Sequence, residues 1–116
     1  MRDGIANARI IGTTLGPEDH GIFTSFITCD FGGTVQGFGG YGLSTNAAQF
    51  ILGVLQCAGT DEWGELKGKP VRVCRIDGLL RALGHFIEDK WLYFDQVAQN
   101  WRVSTEENTR EWAAKP

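Results

Sequence analysis

His20 and His85 are the only imidazoles in the chain, and each lies beside carboxylates: Asp19 in one case, Glu88 and Asp89 in the other. An imidazole next to a carboxylate is the usual starting point of an acid–base pair, and with more donors it becomes a metal site. Either chemistry needs more than a pair. A metal wants three or four ligands, and covalent catalysis wants an oriented nucleophile. Asp19-His20-Gly21 instead continues the polar run Gly16-Pro17-Glu18, where proline and glycine favour a turn whose short side chains satisfy the backbone. Three cysteines (Cys29, Cys57, Cys74) are too far apart for a zinc knuckle and odd in number for a closed disulfide set. They are expected to be small buried hydrophobes in a reducing compartment. The expectation is therefore a protein with no catalytic set, metal or cofactor, and not an enzyme.

Binding is the other chemistry these residue types can do. Arg72, Arg75 and Arg81 cluster, with Lys67 and Lys69 just before them. Asp77-Gly78 is a two-residue hairpin signal. Regular pairing across it puts Val71, Val73 and Arg75 beside Gly84, Ala82 and Leu80 on a face expected to look inward. Arg72, Cys74 and Ile76 then face Leu83, Arg81 and Leu79, so that Arg72 and Arg81 share a surface. That surface could receive a phosphate-bearing ligand or an acidic protein, or be a solvated sheet face.

Between Gly32 and Gly42 there are six glycines in eleven residues, with Phe38 and Tyr41 among them. Glycine weakens a strand, so such density suggests a bulge, a bend or a close approach to the backbone. It does not match a phosphate-cradling loop, which needs Lys-Ser/Thr after the glycines or a helix directly following. Phe38, Tyr41 and Trp91 could be recognition rings or could fill the core. The candidate binding residues are thus His20, Phe38, Tyr41, Arg72, Arg81, His85 and Trp91.

The elements that must position them follow from periodicity. Ile5 to Leu15 contains the β-formers of a first strand. Ile22 to Phe31 alternates, with Phe23, Ser25, Ile27, Cys29 and Phe31 on one face. Gly32-Gly33 turns the chain into a third, glycine-rich strand ending near Leu43. Phe50, Ile51, Val54, Leu55 and Ala58 form a helical stripe that Gly59 should stop, with Asn46 and Gln49 as a capping box. Val71 to Ile76, Leu79 to Gly84 and Lys90 to Phe94 read as strands. Ser104 with Glu107 caps a final helix reaching Ala114, anchored by Trp101 and Trp112. The predicted fold is α+β: mainly antiparallel sheet or an OB-like barrel, with one helix packed after the third strand and a second near the C-terminus. Residues 1–95 form a single domain in this scheme, and 96–116 are a polar tail or short helix.

The totals agree with a modest single domain: 116 residues, 42% hydrophobic and 22% charged, with glycine at about twice its usual share. A net charge of −3 argues against a broad non-specific grip on nucleic-acid phosphates. No apolar stretch approaches a membrane span, and a soluble cytoplasmic protein is expected.

Taken together, Asp19-His20-Gly21, Asp30-Phe31-Gly32-Gly33, Gln36-Gly37-Phe38-Gly39-Gly40-Tyr41, Leu66-Lys67-Gly68-Lys69 and Gly84-His85 with Asp89-Lys90-Trp91 resemble a group of small proteins of tailed bacteriophages. The resemblance covers residues 3 to 94 and carries over no catalytic or binding residue. It implies a setting, the cytoplasm of an infected bacterium, and a class of action, inhibition of host defence by stoichiometric binding. The target would be a CRISPR effector or a cyclic nucleotide immune signal, as with anti-CRISPR and Thoeris anti-defence proteins; symmetric self-association accompanies the second. The alternative expectation is an OB-like accessory protein that stacks and holds single-stranded nucleic acid during phage replication.

Overall fold

The structure is a computed structural model that describes residues 4–17, 21–41 and 46–113, the side chains of 40, 41, 112 and 113 excepted. Seven strands, β1 (Gly4–Pro17), β2 (Phe23–Asp30), β3 (Val35–Tyr41), β4 (Pro70–Ile76), β5 (Leu79–Gly84), β6 (Trp91–Asp95) and β7 (Asn100–Ser104), form one sheet. Helix α1 (Ala47–Ala58) follows β3, and α2 (Glu106–Ala113) follows β7. Every pairing is antiparallel and the order is β3-β2-β1-β4-β5-β6-β7. The expected α+β class, sheet-dominated with a helix after the third strand, is what the chain adopts.

Strand β1 sets the curvature. Its first half, Gly4 to Arg9, pairs with β4, and its second half, Arg9 to Pro17, pairs with β2. A bulge between Ile10 and Gly12 marks the handover, and bulges bend a strand and increase its twist. The sheet curls until β3 comes alongside β5. Only Ala82, Leu83 and Gly84 of β5 pair with β6, so on that side Leu79 to Arg81 lie open toward β3. This is the connectivity expected of an OB-like barrel, extended by β6 and β7. The closing β3–β5 ladder is missing among the described residues, and a side chain spans the gap: Gln36 Nε2 donates to Gly78 O at 3.0 Å.

The inner face of the sheet wraps α1. Ser25, Ile27 and Cys29 of β2, with Phe31 just after it, are buried on one face as their alternation predicts, whereas Phe23, expected on that face, is exposed at the start of the strand. Phe50, Gly53, Val54 and Cys57 are the buried face of α1. Gly53 lets the helix approach so closely that a Cβ there would collide with the Leu92 side chain. Gly59 ends the helix in the left-handed region (φ 72°), its N–H donating to Leu55 O at 2.9 Å. The predicted capping box at the other end does not form. Asn46 Nδ2 donates to Gln99 O at 2.9 Å, and Gln49 Oε1 accepts the Trp101 N–H at 3.2 Å. Both amides tie the helix to the β6–β7 hairpin instead of capping it, Asn46 to its turn and Gln49 to β7.

That turn belongs to a segment the sequence assigns to a polar tail. Asp95 Oδ1 accepts the N–H groups of Val97 and Ala98 at 2.9 and 3.1 Å, and Asp95 Oδ2 meets Arg102 Nε at 3.0 Å. The bend and the cross-strand ion pair bring Asn100 to Ser104 back along β6 and drop Trp101 into the core. The boundary expected at residue 95 thus falls inside the β6–β7 hairpin. Helix α2 is then capped by Thr105, whose Oγ1 accepts the Asn108 N–H at 3.3 Å, rather than by Ser104. Asp89 Oδ1, from a distant loop, accepts the Glu106 N–H at 2.7 Å. The helix covers β5 and β6 on the outer face, where Cys74, Ala82, Trp91 and Tyr93 make a smaller buried cluster.

Gly39 has φ 107°, and a Cβ on it would sit 2.6 Å from Phe50 Cζ and 2.7 Å from Ser25 O. Gly39→Ala is therefore expected to cost about 2–4 kcal/mol of unfolding free energy in urea titrations. Gly37→Ala, with nothing nearer than 3.8 Å, should stay within roughly 0.5 kcal/mol of the parent. Equal effects of the two would refute the close approach of β3 to the helix.

Candidate functional site

The residues nominated for chemistry have separate fates. Arg72 is half-buried, its guanidinium 4.9 Å from the centre of the Trp91 ring. Its Nε donates to His85 O at 2.7 Å and its second terminal nitrogen to Glu88 O at 2.9 Å. His85 Nδ1 accepts the N–H groups of Ile87 and Glu88 at 3.1 and 2.9 Å, which places the proton of the neutral ring on Nε2. Nearby, Lys90 Nζ lies 2.9 Å from Glu88 Oε2. That hydrogen bond and charge lower the Glu88 pKa and raise that of Lys90. Arg72 and His85 together shape the 85–90 loop. Arg72 Nε, its second terminal nitrogen and His85 Nδ1 are all engaged by backbone.

Trp91 is buried beneath Arg72 and packed so tightly on Gly84 that a Cβ there would lie 2.7 Å from its ring. Phe38 is also buried, with ring centres 5.4 Å from Trp101 and 5.9 Å from Phe50. Both rings are buried; Trp91 belongs to the outer cluster, and Phe38 joins the core while one side of it lines a hollow. The Tyr41 side chain and all of His20 lie outside the described residues.

The shared Arg72–Arg81 face does not exist either. Ile76 faces Leu79 and Arg75 faces Leu80 as the hairpin predicts, but Cys74 pairs with Ala82, leaving Arg81 as the extra residue of a bulge. The shift has a packing cause. It brings Leu83 opposite Val73 in the main core and sets Ala82 beside Cys74 in the outer cluster. Regular pairing would have turned Leu83 to the outer face.

The bulge delivers Arg81 to the seam between β3 and β5. There it lines a hollow of about 170 Å³ with Gly37, Phe38, Gly39, Leu80, Phe94, Gln96 and Trp101. A wider, shallower hollow of about 430 Å³ adjoins it, bounded by Gln36, Gly37, Leu79, Leu80 and Arg81. Arg81 Nε and Trp101 Nε1 are both buried without a hydrogen-bond partner. Leaving a buried donor unmade costs about 1–3 kcal/mol, so two around one hollow are unusual. The rest of the lining is aromatic, aliphatic or bare glycine backbone. Arg81 was legible as a candidate from the sequence. Trp101, Phe94, Leu80 and Gln96 were not, because the hollow depends on β7 and on the curl of the sheet.

The seam thus gathers one charged and one neutral N–H donor, both buried, on residues of a partly aromatic lining. Its lining residues supply no carboxylate, imidazole or thiol. Among the described residues, no three His, Cys, Asp or Glu side chains gather as metal ligands would. No helix among them is long and apolar enough to cross a membrane.

The cysteines give a test of the core. Burial pushes the Cys29 and Cys57 thiols from 9.0 up to about 12, and Cys57 Sγ donates to Leu83 O at 3.3 Å. Between these values the folded chain holds protons that the unfolded chain releases. Their contribution to stability is full below about pH 9 and is lost as pH rises toward 12. Urea midpoints measured across that interval should fall, with a shallower slope in Cys57→Ala; an unchanged slope would show that this thiol ionises freely in the fold. Comparison with family models, curated proteins and solved structures finds no match to this chain.

Proposed function

We propose that this is a non-enzymatic binding protein acting by stoichiometric capture, as expected of a phage counter-defence protein, and that it meets its target at the β3–β5 seam. One observation supports this above the others. Arg81 and Trp101, which line a single hollow, each carry a buried donor without an acceptor, while Arg72, His85, Asp89 and Asp95 are all bonded to backbone. These four side chains of catalytic type serve here to build loops, whereas two buried donors without an acceptor belong to residues that line the same hollow.

The size of the hollow favours a nucleotide immune signal over a CRISPR effector. A space of about 170 Å³ opening into one of about 430 Å³ receives part of a small molecule better than a flat protein surface. A second reading, an accessory protein for single-stranded nucleic acid, draws support from the OB-like connectivity. The net charge of −3 opposes it.

Calorimetric titration separates these. Saturable binding of a cyclic nucleotide near one ligand per site is expected, weakened by Arg81→Ala. Oligonucleotide affinity that falls steeply with added salt would replace capture of a signal by the second reading. Silence toward nucleotides, oligonucleotides and purified CRISPR effectors would remove the proposal.

A further inference from the structure

We infer that the seam holds an oxyanion subsite, built from Arg81 Nε and Trp101 Nε1, that takes a phosphate group. The inference rests on the seam being the place of binding and names the chemistry that it recognises. Trp101 is 7% exposed, and its indole N–H is buried with no acceptor although the residue lines the hollow. Indole nitrogen only donates, and so does guanidinium. A ligand that satisfies both must present acceptors, and the guanidinium charge favours an anion. Phosphate is the fitting case, because guanidinium matches its geometry and its oxygens can reach two donors at once.

The neighbours agree. Phe38, Phe94 and Leu80 make the walls apolar, which strengthens a charged hydrogen bond by excluding water. Gly37 leaves the β3 side open, with no positive φ and space beside it. Asn100 Oδ1, an unpaired acceptor that would repel an anion, belongs to the residue before Trp101 and so projects to the opposite face of β7. A peptide strand does not fit where the two strands are closest. β3 and β5 come within 8 Å between Cα atoms, whereas inserting a strand requires about 9.5 Å, twice the interstrand spacing.

The test follows the Trp101 indole N–H resonance while the full chain is titrated with inorganic phosphate, pyrophosphate and a nucleoside monophosphate. A saturable downfield shift is expected. Arg81→Lys keeps the charge but removes the Nε donor, and should weaken binding about tenfold or more. Arg110→Gln, remote on α2, should leave binding unchanged. Trp101→Phe should keep the ring cluster and weaken binding less than Arg81→Lys. A tighter complex with the monophosphate than with inorganic phosphate assigns the site to a phosphate ester; the reverse assigns it to the free ion. An indole resonance unmoved at millimolar ligand, or equal affinity in Arg81→Lys, overturns the subsite. If a cyclic nucleotide is still captured with loss in Arg81→Ala, only the phosphate assignment falls. If nothing binds at the seam, both proposals fall.

Discussion

The Trp101 ring is the contact on which the architecture turns. Its centre lies 4.8 Å from Phe50, 5.3 Å from Phe94 and 5.4 Å from Phe38, so one side chain joins β7 to α1, β6 and β3. Tilted and edge-on rings at such distances add to the ordinary gain from burial. This cluster is where the far edges of the seven-stranded sheet meet the helix. Gly39 makes room for it, since any larger residue would occupy the space of the Phe50 ring.

Curvature and binding are therefore one problem. β1 serves two partners in succession, and the bulge between Ile10 and Gly12 turns one set of ladder bonds into the other. The resulting curl carries β3 to β5 but stops short of a ladder, leaving the Gln36–Gly78 bond as a tie across the gap. The second bulge, at Arg81, sits on the β5 side of that same gap. Closure of the barrel would have consumed the backbone edge. Its incompleteness is what leaves a hollow lined by donors.

Much of this was legible where the signal is local. The alternation of β2, the apolar stripe of α1, the Gly59 stop and the Asp77-Gly78 turn each follow from a few adjacent residues. Asp77 and Gly78 have φ of 56° and 76°, the paired positive values such a turn requires. The features that are not local depend on residues far apart in the chain. The Asn46 and Gln49 amides bond to Gln99 and Trp101, a choice no capping rule can foresee. β7 carries only Trp101 and Val103 as large apolar residues in five, too short a run to stand out in a polar stretch. Arg81 was named for its charge, but its position comes from a slip that the pairing of Leu83 and Val73 demands.

A sheet with two ends offers two templates for unwanted polymerisation, and here the ends are guarded by different means. β3 is folded back toward its own sheet, so its outer rim confronts β5 before it can meet another molecule. β7 is only five residues long, and Arg102 in its middle is engaged by Asp95. The same curl that shapes the hollow thus also hinders fibril-like stacking of one copy on the next.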